Sequence, residues 1–138
     1  MISYTMVGTN DLEQSIRFYD PLFAQMGLEQ CFRDDSCVSW GKRSDITFPR
    51  FFTGYPYDGE KAHAGNGVMT AFEFDNSEII DQLYAIALEK GGSSEGEPGF
   101  RPRYAEDFYA AYVRDPDNNK IAFVGRLALT KFFYRRHV

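Results

Sequence analysis

Histidine is almost missing from this chain. Two of its 138 residues are His, His63 and His137, so a transition metal held by imidazoles has little to draw on. Cysteine is as scarce. Cys31 and Cys37 are the two present, and their spacing matches neither a zinc site nor a CxxC redox motif, which leaves reduced thiols as the expectation. Long apolar runs are missing as well. None approaches the roughly 18 residues that a membrane-spanning helix needs, and Met1-Ile2-Ser3-Tyr4 has neither a basic nor an apolar leader character. A cytoplasmic protein without membrane partners is expected. Positive charge is also short: the formal net charge is −5, which argues against nucleic acid as a partner.

What is abundant is aromatic. Phe, Tyr and Trp make up 17% of the chain, within a hydrophobic share of 43%, enough for a packed core and for an aromatic-lined pocket besides. The charge is uneven. Residues 126–138 carry Arg126, Lys131, Arg135 and Arg136 with no acid, so +4 sits on the tail and −9 on residues 1–125. With Leu127, Leu129, Phe132 and Phe133 interspersed, this basic-apolar tail suits docking on its own domain or on a second subunit.

Period-two alternation over Ile2–Gly8 predicts a strand with Tyr4 and Met6 on one face and Thr5 and Val7 on the other. A helix follows, with Asn10 as N-cap, Glu13 completing a capping box, and Leu12, Ile16, Tyr19, Phe23 and Met26 at helical spacing. Pro21 predicts a kink or an early end there, and Gly27 a left-handed stop. Leu28–Trp40 reads as one or two strands around a turn at Asp34-Asp35-Ser36, and Ile46–Thr53 as another strand. Gly54–Gly67 is the longest loop, a candidate lid or pocket wall. The pattern then repeats with an offset of about 65 residues. Val68–Phe74 reads as a strand; Asn76 or Ser77 caps a helix with Ile79, Ile80, Leu83, Ala87 and Leu88 inward; Gly91-Gly92 stops it. Ser93–Arg103 reads as a glycine- and proline-rich connector. Phe108–Arg114 and Lys120–Gly125 read as a hairpin turned by Asp115-Pro116-Asp117-Asn118-Asn119.

Two stretches carry a family resemblance. Ile2–Leu12 running into Phe18-Tyr19-Asp20 resembles the first strand and helix of the vicinal oxygen chelate proteins, the glyoxalase, bleomycin-resistance and extradiol-dioxygenase group. Tyr112–Ile121 resembles their final hairpin, with Asn118 where glycine is usual. Gly65–Phe72 looks like the start of a second module. The resemblance implies an α+β fold of two βαβββ modules, residues 1–60 and 66–125 of one domain, curling into a cup-shaped mixed sheet with helices outside and ligand inside. It also implies where metal ligands usually stand: Tyr4, Met69 and Ala122. A phenol, a thioether and a methyl group replace the usual imidazoles and carboxylate, so no cofactor is expected and a divalent metal is not.

Without metal, the cup becomes an apolar small-molecule site. Its expected lining is Tyr4, Met6, Met69, Tyr112 and Ala122, with Trp40, Phe48, Arg50 and Phe52 closing one side. Arg103, Tyr104 and Tyr109, from the arginine- and aromatic-rich stretch Phe100–Tyr109, are placed over it to take an anionic or planar ligand. Glu73 and His63 are the catalytic candidates. Three functions remain open: a small-molecule-binding protein without a typical metal; a lyase, isomerase or dioxygenase with a metal site rebuilt from His63, Glu73 and a tyrosine; and a structural dimer without ligand. A homodimer is the expected assembly.

Overall fold

A computed structural model describes residues 1–127. Strand β1 (Tyr4–Gly8) leads into helix α1 (Leu12–Gln25) and then β2 (Glu29–Arg33), β3 (Cys37–Gly41) and β4 (Arg50–Gly54). The same order follows in β5 (Met69–Glu73), α2 (Ser77–Glu89), β6 (Ser93–Phe100), β7 (Phe108–Arg114) and β8 (Lys120–Arg126). Each module forms its own four-stranded mixed sheet, ordered β1-β4-β3-β2 and β5-β8-β7-β6. In each, the first strand lies at an edge and pairs in parallel with the last, while the other pairs are antiparallel. This is the α+β architecture of two βαβββ modules, as two separate sheets.

The repeat holds in detail. Tyr4 and Met69 begin their strands, and Asp11 and Asn76 cap their helices, both at an offset of 65. The Asp11 side chain accepts from the Gln14 N–H and that of Asn76 from the Ile79 N–H. Asn10, expected as the first cap, instead ties down a distant loop: Ala62 N–H donates to its Oδ1 at 2.7 Å, and its Nδ2 donates to the Ala62 carbonyl at 3.0 Å. Both helices end in a Schellman turn on a left-handed glycine, Gly27 (φ 78°) and Gly91 (φ 105°), with Leu28 N–H reaching the Phe23 carbonyl and Gly92 N–H that of Ala87. The second stop therefore falls one residue earlier than the offset of 65 places it.

Four further expectations are corrected. The early end expected at Pro21 does not occur, and helix α1 runs on to Gln25; burial of Leu22 and Phe23 beyond the proline offsets the missing hydrogen bond. Residues 46–49 are a turn held by Asp45, whose Oδ1 accepts from the Thr47 N–H, so β4 begins at Arg50. Ser93–Phe100 is an edge strand rather than a connector. Its glycines and proline are tolerated because the pairing with β7 is interrupted by bulges on either side of Gly96. In α2 the buried stripe is Ile80, Leu83 and Ala87, while Leu88 is exposed.

One core serves both modules. Tyr19 and Phe23 of α1 meet Trp40 and Phe51 of the first sheet with ring centroids 5.0–5.8 Å apart, and Phe72 of the second sheet joins them, 5.5 Å from both Phe23 and Phe51. A polar clamp makes the second connection. The β7–β8 turn buries Asp115, which accepts from the Tyr19 hydroxyl at 2.6 Å, the Asn119 amide at 2.9 Å and two turn N–H groups. Asn119 also donates to the Gly8 carbonyl, and the Thr9 hydroxyl donates to Asp117. Asn118 sits at φ 72°, the left-handed position that glycine usually fills. The turn motif thus fastens module two onto the β1–α1 junction of module one.

Leu127 is buried, its N–H donating to the Asp107 carbonyl. The remainder of the expected tail, with Leu129, Lys131, Phe132, Phe133, Arg135, Arg136 and His137, lies outside the described residues. No helix among the described residues is long and apolar enough to cross a membrane.

Candidate ligand-binding site

Alternation gives each sheet a helix-packed face and an open face. On β7, Ala111 and Val113 turn to the core while Phe108, Ala110 and Tyr112 turn to the open side; on β8, Ile121 and Phe123 oppose Lys120, Ala122 and Val124. Across the sheet, Ala71, Ala122, Tyr112 and Gly96 share one row, and Glu73, Val124, Ala110 and Gly99 another. Gly96 and Tyr112 of the first row, with Met69 beside them, border a pocket of about 630 Å³, a size suited to a small organic ligand.

The rim is cationic and aromatic. Arg101, Arg103 and Lys120 line it with Tyr104, Phe108 and Tyr112. Two cations stand near Tyr112, the Arg101 guanidinium 5.6 Å and the Lys120 ammonium 5.4 Å from its ring centre. Burial pushes the Tyr112 phenol above its ordinary value, and the nearby Arg101 opposes that rise. Residues 101–107 turn tightly: Tyr104 and Ala105 donate to the Arg101 carbonyl, and Phe108 to that of Ala105. This fold-back sets Arg103 beside Tyr104, 5.7 Å from its ring centre.

A second hollow, about 610 Å³, opens between the modules. The core aromatics Phe23, Phe51 and Phe72 line it, with Phe48 and Arg50 from module one and Glu73 from module two. Met69 borders both hollows.

The expected site residues thus divide into groups. Met69, Arg103, Tyr104 and Tyr112 line the cationic pocket, while Ala122, paired with Tyr112, is fully buried and does not line it. Trp40, Phe48 and Arg50 border the inter-module cleft. Trp40 belongs to the helix-packed face: it is 1% exposed, and its indole N–H donates to Asp20. Tyr4, Met6 and Phe52 occupy the open face of the first sheet, Tyr4 being 63% exposed and edge-on to Phe52 at 5.4 Å. Tyr109 turns the other way, its hydroxyl donating to Asp81 of α2; burial and that carboxylate hold its phenol well above the ordinary value. Glu73 is exposed at the cleft. The loop expected as a lid lines neither hollow. Residues 55–68 pack on the β1–α1 junction through Ala62 and through the Tyr55 hydroxyl, which accepts from the Leu12 N–H; His63 goes with them, exposed.

Sequence reasoning missed Lys120, Phe108 and the part played by Arg101. The signal was available for Lys120 and Phe108, since the parity that turned Ala122 and Tyr112 to the open face also turns residues two and four positions earlier.

The metal test is one of donor chemistry. Tyr4 stands on one sheet, Met69 and Ala122 on the other, and among them is neither imidazole nor carboxylate. Among the described residues no three His, Cys, Asp or Glu side chains gather. These residues do not fit a divalent cation.

Paired βαβββ modules of this order define a glyoxalase-like fold, and solved structures agree. A glyoxalase/bleomycin resistance protein from Albidiferax ferrireducens is 35% identical over 91% of this chain and 98% of its own, with a TM-score of 0.80. A glyoxalase/bleomycin resistance protein/dioxygenase family enzyme from Burkholderia phytofirmans is 20% identical over 91% and 98%, with a TM-score of 0.69. A lactoylglutathione lyase from Agrobacterium tumefaciens is 18% identical over 91% and 92%, with a TM-score of 0.63. The last two likenesses concern the fold alone. No protein-family model and no curated protein matches the chain. On the first likeness, the chain belongs to the glyoxalase/bleomycin-resistance family of the vicinal oxygen chelate superfamily.

Proposed function

We propose that this chain is a small-molecule-binding member of its family, taking a partly aromatic or anionic compound without a divalent metal at the usual position. The observation that carries this reading is the cationic, aromatic-rimmed pocket on the open face of the second sheet. Of the usual ligand positions, Met69 brings only a thioether to this pocket, and Ala122, buried beneath the sheet surface, offers no donor. The proposed assembly is a homodimer in the cytoplasm. Strands β1 and β5 each lie at a sheet edge, and Ile2, Tyr4, Met6 and Met69 expose apolar surface beside them, the kind of edge that a second copy covers.

The test has two parts. The untagged protein is incubated with Fe(II), Mn(II), Ni(II) and Zn(II), desalted and subjected to elemental analysis; no stoichiometric metal is expected. Retention of one metal per chain overturns the reading in favour of a lyase, isomerase or dioxygenase. In parallel, a thermal-shift screen of aromatic compounds is expected to yield ligands whose effect disappears in Tyr112→Ala. Sedimentation equilibrium at twice the chain mass supports the dimer, and a monomer mass overturns it.

A further inference from the structure

We propose that the pocket on the second sheet selects an aryl carboxylate, its ring laid against Tyr104 and Tyr112 and its carboxylate taken by Arg103 and Arg101; this rests on the binding reading above. The first ground is uncommitted charge. The chain as a whole is acidic, yet three cations border this pocket and one acid, Glu95, does. Glu95 is already matched by Arg114 at 2.8 Å. Among the described residues, Arg101, Arg103 and Lys120 have no ion-pair partner. Glu97, Glu106 and Asp107 are close in sequence but do not line the pocket, and Asp107 faces Arg126. Glu95 also feels the Lys120 charge, so cations exceed acids in the lining by three to one and an anion is attracted to it.

The second ground is that Arg101 is built in rather than loosely placed. It donates to the Gly99 carbonyl at 2.9 Å and to the Glu97 carbonyl at 2.6 Å. A guanidinium has five N–H donors, so most remain for a ligand while the plane is held. The neighbouring glycines make this possible. A Cβ at Gly96 would come 3.2 Å from Arg101 Nη2 and 3.1 Å from the Tyr112 ring, and one at Gly99 would come 3.1 Å from Arg101 Nη1. The bulged edge strand β6 thus leaves a slot for a flat cation above a flat ring. A planar fork of donors suits bidentate pairing with a carboxylate, and discrimination against a bare tetrahedral anion falls to the aromatic wall.

The third ground is the aromatic wall. Tyr104 and Phe108 stand edge to face, 5.9 Å apart at 85°, next to the Tyr112 ring. Such walls favour a flat unsaturated ring over a saturated one of equal size.

The experiment is calorimetric titration of the full chain with naphthoate, naphthamide, the ring-saturated carboxylate and inorganic phosphate. Naphthoate is expected to bind saturably, the neutral amide about tenfold or more weaker, and phosphate no better than the amide. Arg103→Ala, an exposed position, is expected to weaken naphthoate about tenfold and leave the amide unchanged, with an unaltered melting temperature. Amide binding equal to that of naphthoate overturns the inference while leaving the proposed function intact, since a neutral aromatic ligand would still occupy the site. Phosphate binding as strong as naphthoate also overturns it, because the site would then be a plain anion patch. If none of the four binds but the thermal-shift screen finds other ligands sensitive to Tyr112→Ala, only the inference fails; if that screen is empty too, both fail.

Discussion

Tyr19→Phe isolates one oxygen in the clamp that joins the modules. The ring stays, and with it the packing against Phe18, Phe23, Trp40 and Phe51. What goes is a 2.6 Å hydrogen bond to the buried carboxylate of Asp115. Hydrogen bonds to charged groups contribute about 1.5–3 kcal/mol, and this carboxylate has little water to replace the loss, so a destabilisation of about 1.5–3 kcal/mol at neutral pH is expected. The sign of its pH dependence follows from Asp115. Burial raises its folded-state pKa above the usual carboxylate value, and the Tyr19 and Asn119 hydrogen bonds oppose that rise. A carboxyl raised on folding gives stability that is fully present below its unfolded pKa and lost as pH rises through its folded one. Removing the Tyr19 donor raises the folded pKa further, so the variant loses more on the way up to neutrality. The gap between variant and parent should therefore narrow, toward the ~0.5–1.5 kcal/mol of a neutral hydrogen bond, as pH falls through the Asp115 titration. Urea unfolding of both proteins at neutral pH and in steps down to pH ~4 measures it. A loss under ~0.5 kcal/mol at neutrality, or a gap that widens in acid, refutes the reasoning.

Three other outcomes are expected. Thr53→Val strands the buried Ser15 hydroxyl, now 2.6 Å from Thr53 Oγ1, at a cost of about 1–3 kcal/mol; adding Ser15→Ala should recover part of that cost in a double-mutant cycle by urea unfolding. Phe72→Ala removes the ring through which module two enters the shared aromatic cluster, and should cost about 3 kcal/mol by the same assay, whereas Phe32→Ala, at a side chain 50% exposed, should cost about 1 kcal/mol or less. Asn118→Val places a β-branched residue at φ 72° and should lower stability by about 1–2 kcal/mol, while Asn118→Gly should stay within about 1 kcal/mol of the parent.

Local rules carried much of the fold. Two strands, two capped helices and two glycine stops recur at nearly one offset, and each rests on backbone chemistry that a short window contains. The left-handed position at Asn118 is of the same kind. Legibility failed where a local signal was overruled at a distance. Asn10 looks like a cap, but Ala62 claims its side chain. Pro21 looks like a break, but the burial of the residues beyond it holds the helix together. Ser93–Phe100 has the composition of a loop, yet it pairs with β7 because an edge strand can absorb bulges.

The site divides along the same line. From the sequence alone came the absence of metal donors at Tyr4, Met69 and Ala122, because side-chain chemistry needs no neighbours to be read. Strand parity also set Tyr112 against Ala122. Tertiary structure decided what stands beside them: Arg101 and Lys120 close to Tyr112, Trp40 drawn into the core, His63 carried away with its loop, and Tyr4 left on a different sheet from Met69. Alternation specifies which face a residue takes, but the company it keeps on that face depends on strand order and on how the two modules pack. Those are set by long-range contacts, the aromatic cluster and the Asp115 clamp, that no single stretch of the chain contains.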